Sequence, residues 1–456
     1  MDNECEYNAI SPIDGRYKGQ LTKLADYFSE KALFYYRLKV EVEYLIALSN
    51  ESKIKELKRF SSTEKSFLRK IYEGFSVNDV AKIKKIEDTT KHDVKAVEYY
   101  IKENIQRSKH ANLKKNIEFI HFALTSEDVN NLSYSLMLKE GVKNVYLDEL
   151  EGLIKNLTKK AKRDANSAML AMTHGQPATP TTFGKELTVY VKRLARQFEQ
   201  LENHKLMGKL NGATGNFAAH SIAYPSVNWF NFSKKFVEDL GLESNLFTTQ
   251  IESHDSASEL FDILKRINNI IIDLDQDFWM YISRNLLAQK TKRGEVGSST
   301  MPHKTNPINF ENSEGNLQLA NSLLTFMGDK LMKSRMQRDL TDSTVLRNQG
   351  VVIAHSLLGV LNTVKGLDRC TVNQLKMLEE LEDNPEVLAE AVQIILRKAG
   401  VDKPYEKMKQ LTKGKDITLS TIRKFVENLD ISVPDKKRLL SLEPEDYTGL
   451  SEKLTK

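Results

Sequence analysis

Apolar residues recur along this chain at steps of three and four. Between 255 and 284, Leu260, Leu264, Ile267, Ile271, Leu274, Phe278 and Tyr281 alternate four and three without a break, which is the spacing of a coiled-coil seam. Ile263, Ile270 and Ile272 add a second apolar face, which suits a helix inside a bundle better than one on a surface. The same stepping returns at Leu317, Ala320, Leu324, Met327 and Leu331, and again at Ile353, Leu357, Val360, Val364 and Leu367. The pattern predicts long helices from near Ser126 into the 160s, from Thr181 to about Met207, and from about Asp255 to Arg284. At 1.5 Å per residue such helices reach roughly 40 Å and imply an elongated bundle. Helices apolar on two faces usually meet another subunit.

Alternating strand patterns are scarce, and 10 prolines and 21 glycines are few for 456 residues, so the chain reads as all-α. Segments from 21 to 110 look short, with Ser61 and Glu64 spaced as a capping box. After about 368 the segments shorten again, broken at Asp383-Asn384-Pro385, Gly400 and Lys403-Pro404. Three helical domains are expected: 1–112, a central long-helix bundle over 113–365, and 366–456. Lys and Arg number 67 against 62 Asp and Glu, a net charge of +5. Spread over this length, that balance argues against nucleic acid and an anionic membrane as partners. Cys5 and Cys370 form no Cys-x-x-Cys pair, so a reducing compartment without disulfides or structural zinc is expected. The acidic start Met1-Asp2-Asn3-Glu4-Cys5-Glu6 has no apolar stretch after it, which reads against a secretory signal. The most apolar region, 267–282, is cut by Asp273, Asp275 and Asp277, so no membrane span is expected. The location expected is cytoplasmic.

The chemistry concentrates in Gly297-Ser298-Ser299-Thr300-Met301-Pro302-His303-Lys304-Thr305-Asn306-Pro307, which puts hydroxyls, a cation and an amide onto one loop. Gly294 and Gly297 free the backbone to swing or to aim N–H groups at an anion, and Pro307 suits the first turn of a following helix. Read locally, this could also be a basic, solvated surface loop. The segment resembles the signature of the fumarase/aspartase superfamily, a Gly-Ser-Ser-x-Met-Pro-x-Lys-x-Asn-Pro loop with every specified position filled. The continuation Ile308 to Asn316 resembles the superfamily's purine-nucleotide branch. The likeness runs from Ser11-Pro12-Ile13-Asp14-Gly15-Arg16-Tyr17 to Pro404-Tyr405-Glu406-Lys407 and so covers nearly the whole chain.

The resemblance implies a homotetramer whose central bundles pair into a twenty-helix core, with each active site drawn from three subunits. It implies a C–N lyase that releases fumarate by β-elimination, from adenylosuccinate to give AMP and from the succinyl-carboxamide ribotide to give the aminoimidazole carboxamide ribotide. Ser298 matches the general base, with Ser299 as the rival assignment. A serinate can form only where N–H groups, a helix start or a cation stabilise it. In Thr173-His174-Gly175-Gln176-Pro177, a histidine flanked by helix breakers sits between two long helices; alone it reads as a structural histidine, and by resemblance His174 is the general acid.

Lys304 and Asn306 could hold a carboxylate by charge and by a planar amide. Thr125 and Ser126 read as a helix N-cap, and the matching family pair binds the succinyl carboxylates; both can hold together. In Arg338-Asp339-Leu340-Thr341-Asp342-Ser343-Thr344-Val345-Leu346-Arg347, two arginines gather around a helix start, with Ser343 and Arg347 one turn apart. By resemblance, Arg338, Ser343 and Arg347 bind a 5′-phosphate within a substrate-binding stretch that includes Thr344, Val345 and Leu346. The same resemblance implies that Arg16 and Tyr17 are contributed by another subunit. Lys91, His92 and Asp93 match a substrate segment in which the family has Asn at position 91, His92 there orienting substrate and assisting His174. Gln250 matches a substrate-amide glutamine, and Asn312 is placed in the same cleft. The remaining histidines have no ligand spacing, so no metal is assigned, and no organic cofactor is expected. Two rival readings are a superfamily member acting on a phosphate-free substrate, opposed by the arginines at 338 and 347, and an inactive structural tetramer, opposed by the joint presence of Ser298, His174, Lys304 and Asn306.

Overall fold

The computed structural model describes residues 7–290, 294, 301, 304–412 and 417–456. The chain is all-α apart from three two-stranded sheets among those residues. The helices that carry the core and the candidate site are α1 Glu30–Asn50, α2 Val77–Thr90, α3 Asp93–Arg107, α4 Ser126–Gly141, α5 Leu147–Arg163, α6 Phe183–Asn203, α7 Asp255–Ser283, α8 Ile308–Leu331, α9 Thr341–Leu346 and α10 Gln349–Arg369. A π-helical turn, Val142–Tyr146, joins α4 to α5. The run expected from Ser126 into the 160s is therefore helical throughout, with a local widening at 142–146. The capping box is present, with Ser61 N–H donating to Glu64 and Glu64 N–H donating to the Ser61 hydroxyl.

Contacts divide the chain into two compact units. One comprises 1–150, 197–269 and 315–359; the other comprises 151–196, 270–314 and 360–456. The periodic positions are buried as their spacing requires. Leu264, Ile267, Ile271 and Leu274 of α7 are fully buried, and Ile263 and Ile270 on its second face are buried as well. Burying each such side chain stabilises by about 1.5–3 kcal/mol. Within the first unit, Asn268 of α7 donates to Asn321 of α8 and to Ser356 of α10. Within the second, Thr363 of α10 donates to Asp275 of α7 and bonds Ser313 of α8. Burial pushes the Asp275 carboxyl up, despite its hydrogen bonds from Ser313 and Thr363. Close approach of α8 and α10 requires glycine: a Cβ on Gly359 would fall 2.2 Å from Leu317, and one on Gly366 2.7 Å from Phe310.

Two expectations change. The N-terminal helices are not all short, since α1 spans 21 residues and 14 of them are buried. The most membrane-like stretch among the described residues is Thr341–Arg369, not 267–282. It passes by length and composition, yet 72% of its window is buried, as in the core helix of a folded protein.

Candidate active site

His174 does not sit on a simple break between helices. Between α5 and α6 the chain forms a hairpin, β1 Ala168–Thr173 against β2 Gln176–Thr182, with Thr173 paired to Gln176. His174 and Gly175 are the two turn residues, with φ of 54° and 71°. Positive φ at both central positions is the requirement of a type I′ turn, which matches the twist of the strands it joins. A histidine in that conformation carries strain of the kind that gathers at functional positions. The whole tip, 172–177, is exposed.

The second unit also holds the loop ahead of α8. Ser298 and Ser299 lie outside the described residues, so the base assignment stays a matter of sequence register. Lys304 is exposed and Asn306 half-buried, and Gln289 holds the segment by donating to Thr305 O at 2.8 Å. Pro307 precedes the helix: its carbonyl accepts from Phe310 N–H, and α8 begins at Ile308. Asn312 lies in the first turn and a half, half-buried.

The first unit holds the rest. Thr125 is the N-cap of α4, and Asp128 reaches back to its N–H at 2.9 Å. Asp128 also accepts from Asn211 and Gly212 N–H groups, and its Oδ1 lies 2.9 Å from the Lys209 ammonium, both side chains fully buried. Lys209 donates onward to Gly212 O and Gln250 O. One buried ion pair thus fixes the helix start that carries Thr125 and Ser126, and the backbone of Gln250. Glu127 in the same first turn is buried, which pushes its carboxyl up to about 7; the Arg338 charge acts in the opposite direction.

Arg338 lies ahead of α9. Its guanidinium donates to Gln250 Oε1 at 3.2 Å and lies 3.2 Å from Glu127; Gln250 in turn donates to Ala213 O. Helix α9 is only six residues long, so Arg347 caps its end instead of flanking its start. Ser343 is half-buried and Thr344 exposed, whereas Val345 and Leu346 are buried. Any ligand contact of those last two would therefore run through their backbone.

Arg347 is 47% exposed and reaches Asp93 at 3.3 Å. Asp93 opens α3 and accepts from Arg37 at 2.7 Å and from Val94 N–H at 2.9 Å. Burial would raise its pKa, but the two arginines and the Val94 N–H outweigh that and hold it below the ordinary carboxylate value. His92 is the N-cap of α3, its Nδ1 accepting Lys95 N–H at 3.2 Å. With Nδ1 engaged as an acceptor there, Nε2 is the ring nitrogen left to donate. Lys91 ends α2 at φ 53°, in the left-handed region, with its N–H bonded to Glu87 O. The bond that holds this residue is made by its backbone, not by the lysine side chain, in a conformation that asparagine also tolerates. Arg16, exposed, and Tyr17, half-buried, lie on the turn after Pro12, where Tyr17 N–H donates to Pro12 O.

The candidate residues divide between the units: Thr125, Ser126, His92, Asp93, Gln250, Arg338 and Arg347 belong to the first, and His174, Lys304, Asn306 and Asn312 to the second. The sequence reading missed Arg37, Asp128 and Lys209. No local signal sets Arg37 apart, since Lys39, Glu41 and Glu43 are charged positions of the same helix. Among the described residues no three His, Cys, Asp or Glu side chains gather to hold a metal.

Residues 15–320 match the family described as Lyase, and residues 334–448 the one described as Adenylosuccinate lyase C-terminal. The adenylosuccinate lyase of Haemophilus influenzae is 51% identical over 446 residues, covering 98% of this chain and 97% of that one. The Escherichia coli adenylosuccinate lyase is 48% identical over 441 residues, 97% and 96% of the two chains. Among solved structures, a fumarate lyase from Mesorhizobium superposes with a TM-score of 0.75 at 16% identity, over 95% of this chain and 96% of its own; it shares the fold.

Proposed function

The chain belongs to the fumarase/aspartase superfamily of lyases, in its adenylosuccinate lyase branch, and on that premise we propose how its residues carry out the reaction. The enzyme is a C–N lyase of purine nucleotide biosynthesis. It releases fumarate from adenylosuccinate, leaving AMP, and from succinylaminoimidazole carboxamide ribotide, leaving the aminoimidazole carboxamide ribotide.

Ser298 takes the proton from the carbon beta to the breaking bond, next to a carboxylate. Lys304, Asn306 and the N–H groups at the start of α4, with Thr125 and Ser126, hold the succinyl carboxylates and spread the charge of the carbanion. As the C–N bond breaks and its carbon neighbour forms the double bond of fumarate, His174 gives its proton to the departing nitrogen. Arg338, Ser343 and Arg347 hold the 5′-phosphate, with Arg16 and Tyr17 contributed by another subunit. Thr344 and the backbone of Val345 and Leu346 line that end. His92 orients the substrate through Nε2–H, and Lys91, Asp93, Gln250, Ser299 and Asn312 complete the pocket. No metal or organic cofactor enters the scheme.

The observation that carries this reading is the contact of Arg338 with the first turn of α4: a phosphate-binding cation beside a helix start able to hold a carboxylate, as a substrate with both groups requires. The exposed tip that carries His174 favours a homotetramer with active sites shared by three subunits, because a proton donor works best where water is excluded. Along the chain we keep three segments, 1–112, 113–365 and 366–456, the central one supplying the tetramer core. A cytoplasmic location accords with the free, buried Cys370.

The test is direct. Purified protein given adenylosuccinate should change its ultraviolet absorbance and release fumarate and AMP in equal amounts, while argininosuccinate and aspartate give nothing. Turnover of either of those, with adenylosuccinate inert, overturns the assignment.

A further inference from the structure

Helix α1 buries Arg37, Glu41 and Tyr44, at steps of four and three and so on one face. Each reaches a segment of the site. Glu41 bonds the His121 ring at 2.5 Å, and the Tyr44 hydroxyl donates to Phe122 O at 3.0 Å. His121 and Ala123 both have φ of 59°, so these two contacts brace a strained run that leads directly to Thr125. Arg37 donates through Nε to Asn130 at 2.9 Å and through Nη2 to Asp93 Oδ2 at 2.7 Å. That same Asp93 oxygen is the one Arg347 reaches, at 3.3 Å. Tyr134, buried and with its hydroxyl unpartnered among the described residues, interacts electrostatically with Arg37, Arg347 and Asp93.

The charges in this group count to a purpose. Asp93 alone would neutralise Arg347, and a phosphate would then have to compete with a carboxylate for the guanidinium. With Arg37 buried against Asp93, that pair sums to zero and the exposed Arg347 keeps its full positive charge, tethered by a long bond. Its remaining N–H groups stay available in the fork geometry that suits phosphate.

We propose that Arg37 is a positioning residue for nucleotide binding: by engaging Asp93 it sets the place and the free charge of Arg347. The proposal rests on the phosphate role assigned to Arg347 above. Without Arg37, Asp93 draws Arg347 onto itself and the anion site weakens.

The test is a double-mutant cycle read by AMP binding, with fumarate binding and thermal melting alongside. Arg37→Met should weaken AMP about tenfold and leave fumarate within about twofold. In an Arg347→Ala background the same change should have no further effect on AMP, because its route is gone. Equal losses in both backgrounds, or fumarate weakened as much as AMP, would reduce Arg37 to a structural residue and overturn the proposal. If Arg37→Met does not fold, Arg37→Lys decides. It keeps the charge but not the two-armed bond to Asn130 and Asp93, and should give a smaller loss with the same dependence on Arg347; unchanged AMP affinity refutes the idea. Wild-type protein that neither binds AMP nor turns over adenylosuccinate would sink the functional reading itself. A wild type that binds AMP, with Arg37 variants indifferent, would sink only the positioning role.

Discussion

Arg347→Ala should separate ligand binding from folding. In the structure the Arg347 side chain is 47% exposed, and its ion pair among the described residues is the 3.3 Å contact with Asp93. Asp93 keeps its closer partner, Arg37 at 2.7 Å, and its Val94 N–H, so removing Arg347 strands no buried charge. An exposed pair of this kind contributes about 0–1 kcal/mol to stability, and the melting temperature should move by no more than a degree or two. The ligand loses far more. A charge-assisted hydrogen bond to a phosphate contributes about 1.5–3 kcal/mol, so AMP and the full substrate should bind about one to two powers of ten more weakly. Fumarate should be nearly unaffected, since on the proposed reading its carboxylates are held by Thr125, Ser126, Lys304 and Asn306 and not by Arg347. Titration calorimetry with AMP and with fumarate, beside a thermal melt, reads all three quantities. Unchanged AMP affinity would refute the phosphate assignment. A large fall in melting temperature would refute the reading of Arg347 as an exposed, ligand-directed side chain.

Lys209→Met should show the opposite pattern, because it leaves Asp128 charged, buried and short of its counter-ion; a cost of about 3–5 kcal/mol is expected, seen as a lower denaturation midpoint. Ser298→Ala and His174→Ala should each slow turnover on the order of a thousandfold or more while substrate still binds, and a near-normal Ser298→Ala beside a dead Ser299→Ala would show the register to be off by one. Mixing those two inactive variants under subunit exchange should restore activity if one site draws them from different chains, whereas verified hybrid tetramers without activity would place both on one chain. Burial holds the Glu127 carboxyl up at about 7 against an ordinary 4.5, so between those values the folded protein keeps a proton that the unfolded chain has released. Stability should fall as pH rises through that window. Glu127→Gln should remove that slope, and a slope unchanged in the variant would count against it.

What the sequence by itself determined is the periodic part and the signature part. Four-and-three spacing at Leu264, Ile267, Ile271 and Leu274 dictates a buried helix, since burying that stripe is the only way those side chains leave water together. The loop at 297–307 and the pair at 125–126 match a family signature in residue order, legible without coordinates, and the roles proposed for them rest on that match. Tertiary structure decided what depends on residues distant in sequence. That His174 tops a hairpin follows from β1 pairing with β2, where Thr173 opposes Gln176 and both turn residues must take positive φ; no alternating pattern around 168–182 announces it. That Asp93 is shared between Arg37 and Arg347 joins positions 56 and 254 residues away. An ion pair of that kind leaves no mark in local composition, because its partners are chosen by the packing of whole helices and its energy exists only once water has been excluded around them.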